Sequence, residues 1–180
     1  MKHIAVTVLR SQQRSDIVES IEKKIPQEKR LVSYNQHRYY LERNGFNEDR
    51  IDFKQKCDMH LQAIAGYVGS IISAHQAKVR AVLDGSLIDS AAYAIDHVHS
   101  SIMNSVHGEL SKHKEHTVAM VLAPDINMTG KVYEKQIEIF KRIMDIIDMH
   151  QIPHEFITQT SPEKQADEIL YYIAAHDNER

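Results

Sequence analysis

Five short apolar runs, each followed by a longer amphipathic stretch, constrain this chain more than any other feature. The runs are His3-Ile-Ala-Val-Thr-Val-Leu9, Leu31-Val-Ser-Tyr34, Val79 to Leu83, Thr117-Val-Ala-Met-Val-Leu122 and Glu155-Phe-Ile-Thr158. They are too short for helices and rich in β-branched side chains, so they are predicted as buried strands. Between them the apolar positions recur every three or four residues, the helical period. Ile17, Val18, Ile21 and Ile25 mark one helix, which Pro26 ends, and a short one around Tyr39-Tyr40-Leu41 stops at Asn44-Gly45. A long helix is predicted over 49–77, with Phe53, Cys57, Leu61, Ile64, Val68 and Ile71 as its inward stripe. Helical material follows over 87–112, with a break near Gly108. Another helix spans 131–150, with Ile137, Phe140, Ile143, Met144 and Ile147 inward. The last runs over 162–175, capped by Ser161 with Pro162 in its first position. Strands that alternate with helices predict a three-layer α/β/α fold around a five-stranded parallel sheet. No linker, repeat or low-complexity tract interrupts residues 1–180, so a single domain is expected.

Composition removes several function classes. A single cysteine, Cys57, excludes an intrachain disulfide and a cysteine-rich zinc site, and makes a cytoplasmic setting the expectation. No apolar run approaches the ~20 residues of a membrane span, and no signal-peptide core is present. The net charge of −3 gives no broad footprint for nucleic acid, and the basic residues between 29 and 50 alternate with Glu42, Glu48 and Asp49. Twelve histidines make the surface charge depend on pH below about 6.5.

Glycine is scarce, with six residues and none among the first 44. An intact glycine-rich phosphate loop after the first strand is therefore excluded. The position is not featureless. Against G-x-x-x-x-G-K-[ST], residues 8–15 place Val8 and Gln13 at the glycines, Arg14 at the lysine, and keep Ser15 before a helix. Loop glycines let backbone N–H groups curl around phosphates, and lysine reaches the outer phosphates as a compact charge. Asn35-Gln36-His37-Arg38-Tyr39-Tyr40-Leu41 leads to Gly45 in the pattern E-x-x-R-x-x-L-x-x-x-G, and Val82-Leu83-Asp84-Gly85-Ser86-Leu87-Ile88-Asp89 leads to Tyr93 in the pattern D-R-S-x-x-D-x-x-x-Y. Ala123-Pro124-Asp125 closes the fourth strand, and Ser161-Pro162-Glu163-Lys164 opens the last helix.

In this order and spacing the whole chain resembles the P-loop nucleoside and nucleotide kinases, in particular the group with ribosylnicotinamide kinases and deoxynucleotide kinases of bacterial viruses. The resemblance implies a nucleotide-facing site at Gln13, Arg14, Ser15, Arg38, Asp84 and Asp89, with ATP and Mg²⁺ as cofactors if nucleotide binding is retained. Ser15 would touch metal and phosphate, and Asp84 would lie near the metal. The departures point away from catalysis. Asn35 stands where a carboxylate base is usual, and an amide cannot accept that proton. Gly85 replaces an arginine. The lid region offers only Lys131, and Lys164 and Gln165 stand where the last helix often brings an arginine. Phosphoryl transfer rests on positioning and charge neutralisation, and one arginine is worth ~10³–10⁵ in rate. The chain is thus expected to be a catalytically degenerate kinase-like protein that binds a protein partner, a second copy of itself or a nucleotide-like ligand. The alternative is an active phosphotransferase on a nucleoside or nucleotide, using a remodelled loop.

Other constellations read more plainly. His97, His99, His107, His113 and His116 form a solvated, pH-responsive stretch, with a cation shared by His107, His113 and His116 as the sharper reading. Tyr39-Tyr40 reads as core packing, with base stacking as the alternative. Cys57 reads as an inert core thiol. Gly66 and Gly69 mark a close helix approach, either within the chain or between copies.

Overall fold

The computed structural model describes residues 2–7, 11–96, 98–122 and 129–178. Five strands form one all-parallel sheet: β1 (His3–Thr7), β2 (Arg30–Ser33), β3 (Arg80–Asp84), β4 (Thr117–Leu122) and β5 (His154–Ile157), in the order β2-β3-β1-β4-β5. The helices are α1 (Ser11–Lys24), α2 (Gln36–Asn44), α3 (Phe53–Ala77), α4 (Leu87–Ala94), α5 (Ser100–His113), α6 (Lys131–His150) and α7 (Pro162–Asn178).

Side chains alternate across the strands, so each strand feeds two cores. Ile4 and Val6 of β1 and Val118, Met120 and Leu122 of β4 pack with Ile17, Val18 and Ile21 of α1 and Ile169 and Ile173 of α7. On the opposite face Ala119 and Val121 meet α3, α4, α5 and α6. The result is the expected three-layer α/β/α architecture. Residues buried on both faces explain why the strands read as apolar runs rather than as alternating patterns.

Local signals account for several element ends. Gly45 takes φ 65° and closes α2 in the left-handed region. Asp52 and Gln55 form a reciprocal capping box that starts α3, each side chain accepting the other's backbone N–H at 2.8 Å.

Three expectations change. The buried stripe of α3 is Met59, His60, Ala63, Tyr67, Ile71 and Ala74, whereas Phe53 and Leu61 are exposed and Cys57 is half-buried. A count of large apolar residues misses this face because two of its members are alanines and two carry polar atoms. The break in the fourth helical stretch falls between Ala94 and Ser100, not at Gly108, which lies inside α5. There His99 caps α5 by accepting from the N–H of Ser101 at 3.4 Å. Within the described residues β1 reaches Thr7 and α1 is under way from Ser11, so Arg14 and Ser15 lie within the helix rather than in a loop that precedes it. With no glycine at 8–15 to take left-handed backbone angles, residues 11–15 continue as helix.

Candidate functional site

In a sheet of this order the connections leave β1 and β3 in opposite directions, which opens a crevice beyond their carboxyl ends. Val6 lies in register with Asp84, so the ends of β1 and β3 are neighbours. Four of the six sequence-predicted site residues converge on this place: Arg14, Ser15, Asp84 and Asp89.

Hydrogen bonds join these side chains to one another. Arg14 Nε donates to Asp84 Oδ1 at 2.5 Å, and Arg14 Nη1 donates to Asp89 Oδ1 at 3.4 Å. Ser15 Oγ donates to Asp84 Oδ2 at 2.7 Å. Ser86 caps α4, accepting from the N–H groups of Ile88 and Asp89, and its hydroxyl donates to Asp89 Oδ2 at 2.8 Å. Thr7, the last residue of β1, donates to the same oxygen at 3.4 Å. Arg14, Asp84 and Asp89 are 6%, 1% and 2% exposed, so these are interior charges.

Electrostatics follows from that burial. Burial opposes the Arg14 charge, but Asp89, Tyr67 and Asp84 outweigh it and hold the guanidinium protonated. Burial also pushes the Asp89 carboxyl above its usual range, with Arg14 and Ser86 pulling the other way. A buried arginine between two carboxylates is stable only because each partner satisfies the others.

Two residues that complete the site carry no signal in the sequence. Tyr67 of α3 is fully buried, and its hydroxyl donates to the carbonyl of Asp84 at 3.0 Å and accepts from the N–H of Gln36 at 3.4 Å. His37 Nε2 lies 3.0 Å from Nδ1 of the buried His60. Burial, His60 and the Arg14 charge together push the His37 pKa down to about 3. Gly85 explains why the cluster fits. It takes φ 87°, and a Cβ there would stand 2.5 Å from the Tyr67 hydroxyl and 3.3 Å from Arg14 Cζ.

The Arg38 side chain is exposed and donates to Glu42 at 2.6 Å. Val8 and the Ala123-Pro124-Asp125 segment lie outside the described residues, as do His97 and the side chain of Gln13. Asn35 caps α2 by accepting from the N–H of Arg38 at 3.0 Å. Lys131 and Lys164 are exposed, and Gln165 is buried and donates to the carbonyl of Gln159 at 2.8 Å. Tyr40 is buried and Tyr39 exposed. Gly66 admits the side chain of Gln36, an approach within the chain, whereas Gly69 faces open space. His107 stacks on His150 with nitrogens 2.8 Å apart, and no group of three or more metal-ligating side chains forms among the described residues. No helix among them is long and apolar enough to cross a membrane.

Fold and crevice together define a P-loop kinase-like α/β/α architecture. The likeness is to solved structures of NadR protein. One, in complex with NAD and AMP-PNP, superposes with a TM-score of 0.68 at 14% identity over 99% of this chain and 51% of its own. Another, in complex with NR, superposes with a TM-score of 0.66 at 13% identity over 95% of this chain and 50% of its own. The chain thus spans about half the length of these neighbours. No protein-family model matches the sequence, and no curated protein matches it.

Proposed function

We propose that residues 1–180 form one kinase-like domain that works by binding and does not transfer phosphoryl groups. The observation that carries this reading is the Arg14 guanidinium held between Asp84 and Asp89. A cation that serves phosphoryl transfer must meet the phosphates, whereas this one is engaged by interior carboxylates. The same geometry fits Mg²⁺ poorly. Both oxygens of Asp84 already accept hydrogen bonds, from Arg14 and Ser15, and a divalent ion there would face a buried guanidinium. Asn35 uses its oxygen as a helix cap and has no carboxylate to offer as base.

The ligand class to test first is nucleotides and nucleosides, in line with the NadR complexes, and a protein partner or a second copy of the chain is the other binding mode. One observation favours the reading as an active phosphotransferase with a remodelled loop: Ser15 and Asp84 remain paired at 2.7 Å, the two side chains that would share a metal's water shell. Isothermal titration with ATP, with and without Mg²⁺, and with a panel of nucleosides and nucleoside monophosphates tests both, combined with a transfer assay. Binding without Mg²⁺ dependence and without transfer is expected. Transfer that is lost in Arg14→Ala and Asp84→Ala overturns the proposal.

A further inference from the structure

The opposite end of the sheet gathers a second set of charged side chains. Because all five strands run parallel, the strand starts share one edge. Lys2 precedes β1, Arg80 opens β3, and the helical turn Lys114–His116 leads into β4. Lys2 and the Lys114–His116 turn border an open recess of about 480 Å³ that is also lined by Gln151 and Pro153. That size suits a small-molecule ligand.

The groups around it are unbalanced in charge. Lys2, Arg80 and Lys114 are cationic, against Glu115 on the rim and Asp177 of α7. Asp177 already accepts from Arg80 and from the backbone N–H of Lys2, and the Lys2 ammonium donates to the backbone carbonyl of Glu115 rather than to a carboxylate. Three imidazoles stand behind this set. His75 of α3 has its ring 5.8 Å from that of His116. His3 is buried and accepts the N–H of Ala81 on Nδ1 at 3.1 Å, which places its proton on Nε2 when the ring is neutral. Burial most of all, and then His116, His75 and Arg80, oppose protonation of His3.

We propose that this recess binds a phosphate-type oxyanion, with Lys2, Lys114, His116 and Gln151 as donors, and binds it more tightly as the histidines protonate. Ammonium, imidazolium and amide groups offer donors suited to an oxyanion, and Glu115 is the acidic side chain among the residues that line the recess. A bound oxyanion favours the imidazolium form of the His116 ring that lines the recess, and by linkage protonation raises anion affinity by the same factor.

Pyrophosphate titrated into the full chain, followed by the ring resonances of the histidines at about pH 6 and about pH 8, tests this. Saturable shifts at His116 and His75 are expected, with His37 and His60 unmoved and affinity at least about fivefold tighter at the lower pH. Lys2→Ala with Lys114→Ala lowers that affinity about a hundredfold, the scale of two charge-assisted hydrogen bonds. Lys114→Gln, on the surface, serves if the double variant loses its fold by circular dichroism. Shifts that fail to saturate, that fall equally on all histidines or on His37 instead, or that persist unchanged in the lysine variants overturn the proposal.

Discussion

The Tyr67 hydroxyl stands 2.5 Å from where a Cβ on residue 85 would begin, and Gly85 holds φ 87° beside it. Gly85→Ala therefore meets both a steric clash and a backbone conformation unfavourable to side chains. It is expected to cost about 2–4 kcal/mol in urea unfolding. Adding Tyr67→Phe removes the clashing oxygen and recovers part of that loss, so the pair is less than additive. Additive losses would show that the two residues do not compete for the same space.

Arg14 bridges two buried carboxylates, so removing it alone leaves Asp84 and Asp89 without their cation. Arg14→Met is expected to lose about 3–5 kcal/mol, and Arg14→Met with Asp84→Asn and Asp89→Asn is expected to recover much of it. Denaturant midpoints for the single and triple variants check this. A triple variant no more stable than the single one would mean that the charges are not the source of the loss.

Stability should fall with acid through two histidines. His3 and His37 are pushed down to about 4 and about 3, from 6.5 when exposed. Between those values the unfolded chain binds more protons than the folded one, so stability rises with pH up to about 6.5 and is lost as pH drops toward 4. Each histidine contributes up to ~1.4 kcal/mol per pH unit in that window. Urea midpoints from about pH 7.5 to about pH 4.5 measure the slope, and His3→Gln should flatten it. An unchanged slope in that variant would remove His3 from the account.

On the proposed binding-only reading, a carboxylate at residue 35 does not confer phosphoryl transfer. Asn35→Asp keeps the cap on the N–H of Arg38, and Asp caps about as well as Asn, so stability changes by no more than about 0.5 kcal/mol. Transfer is expected to stay undetectable, since Arg14 remains engaged by the two aspartates. Turnover in this variant would overturn the binding-only proposal and assign a base role to residue 35.

Much of the site was legible in advance because strand ends are easy to find. Asp84 ends β3, Asp89 lies in the first turn of the helix after it, and Arg14 and Ser15 lie near the start of the helix after β1, so a parallel sheet brings them together. Arg38 was legible only as a pattern, and its side chain pairs with Glu42 four residues on. Tyr67, His60 and His37 were not legible, because their partners lie on other elements and no local spacing records that. The face of α3 departs from its large-apolar pattern for a related reason: alanines and polar-tipped side chains are buried, while Phe53 and Leu61 stay outside.

Strand alternation, turn residues and the absent phosphate-loop glycines are local properties, and from them the chain alone determined an α/β layering and ruled out an intact loop. What Arg14 does could not be read that way. Whether an arginine reaches phosphate or bridges two buried carboxylates depends on the space around it. Here that space is made by Gly85, bounded by Tyr67 and closed by Asp84 and Asp89, residues as many as 75 positions away that meet only when β1 and β3 lie side by side.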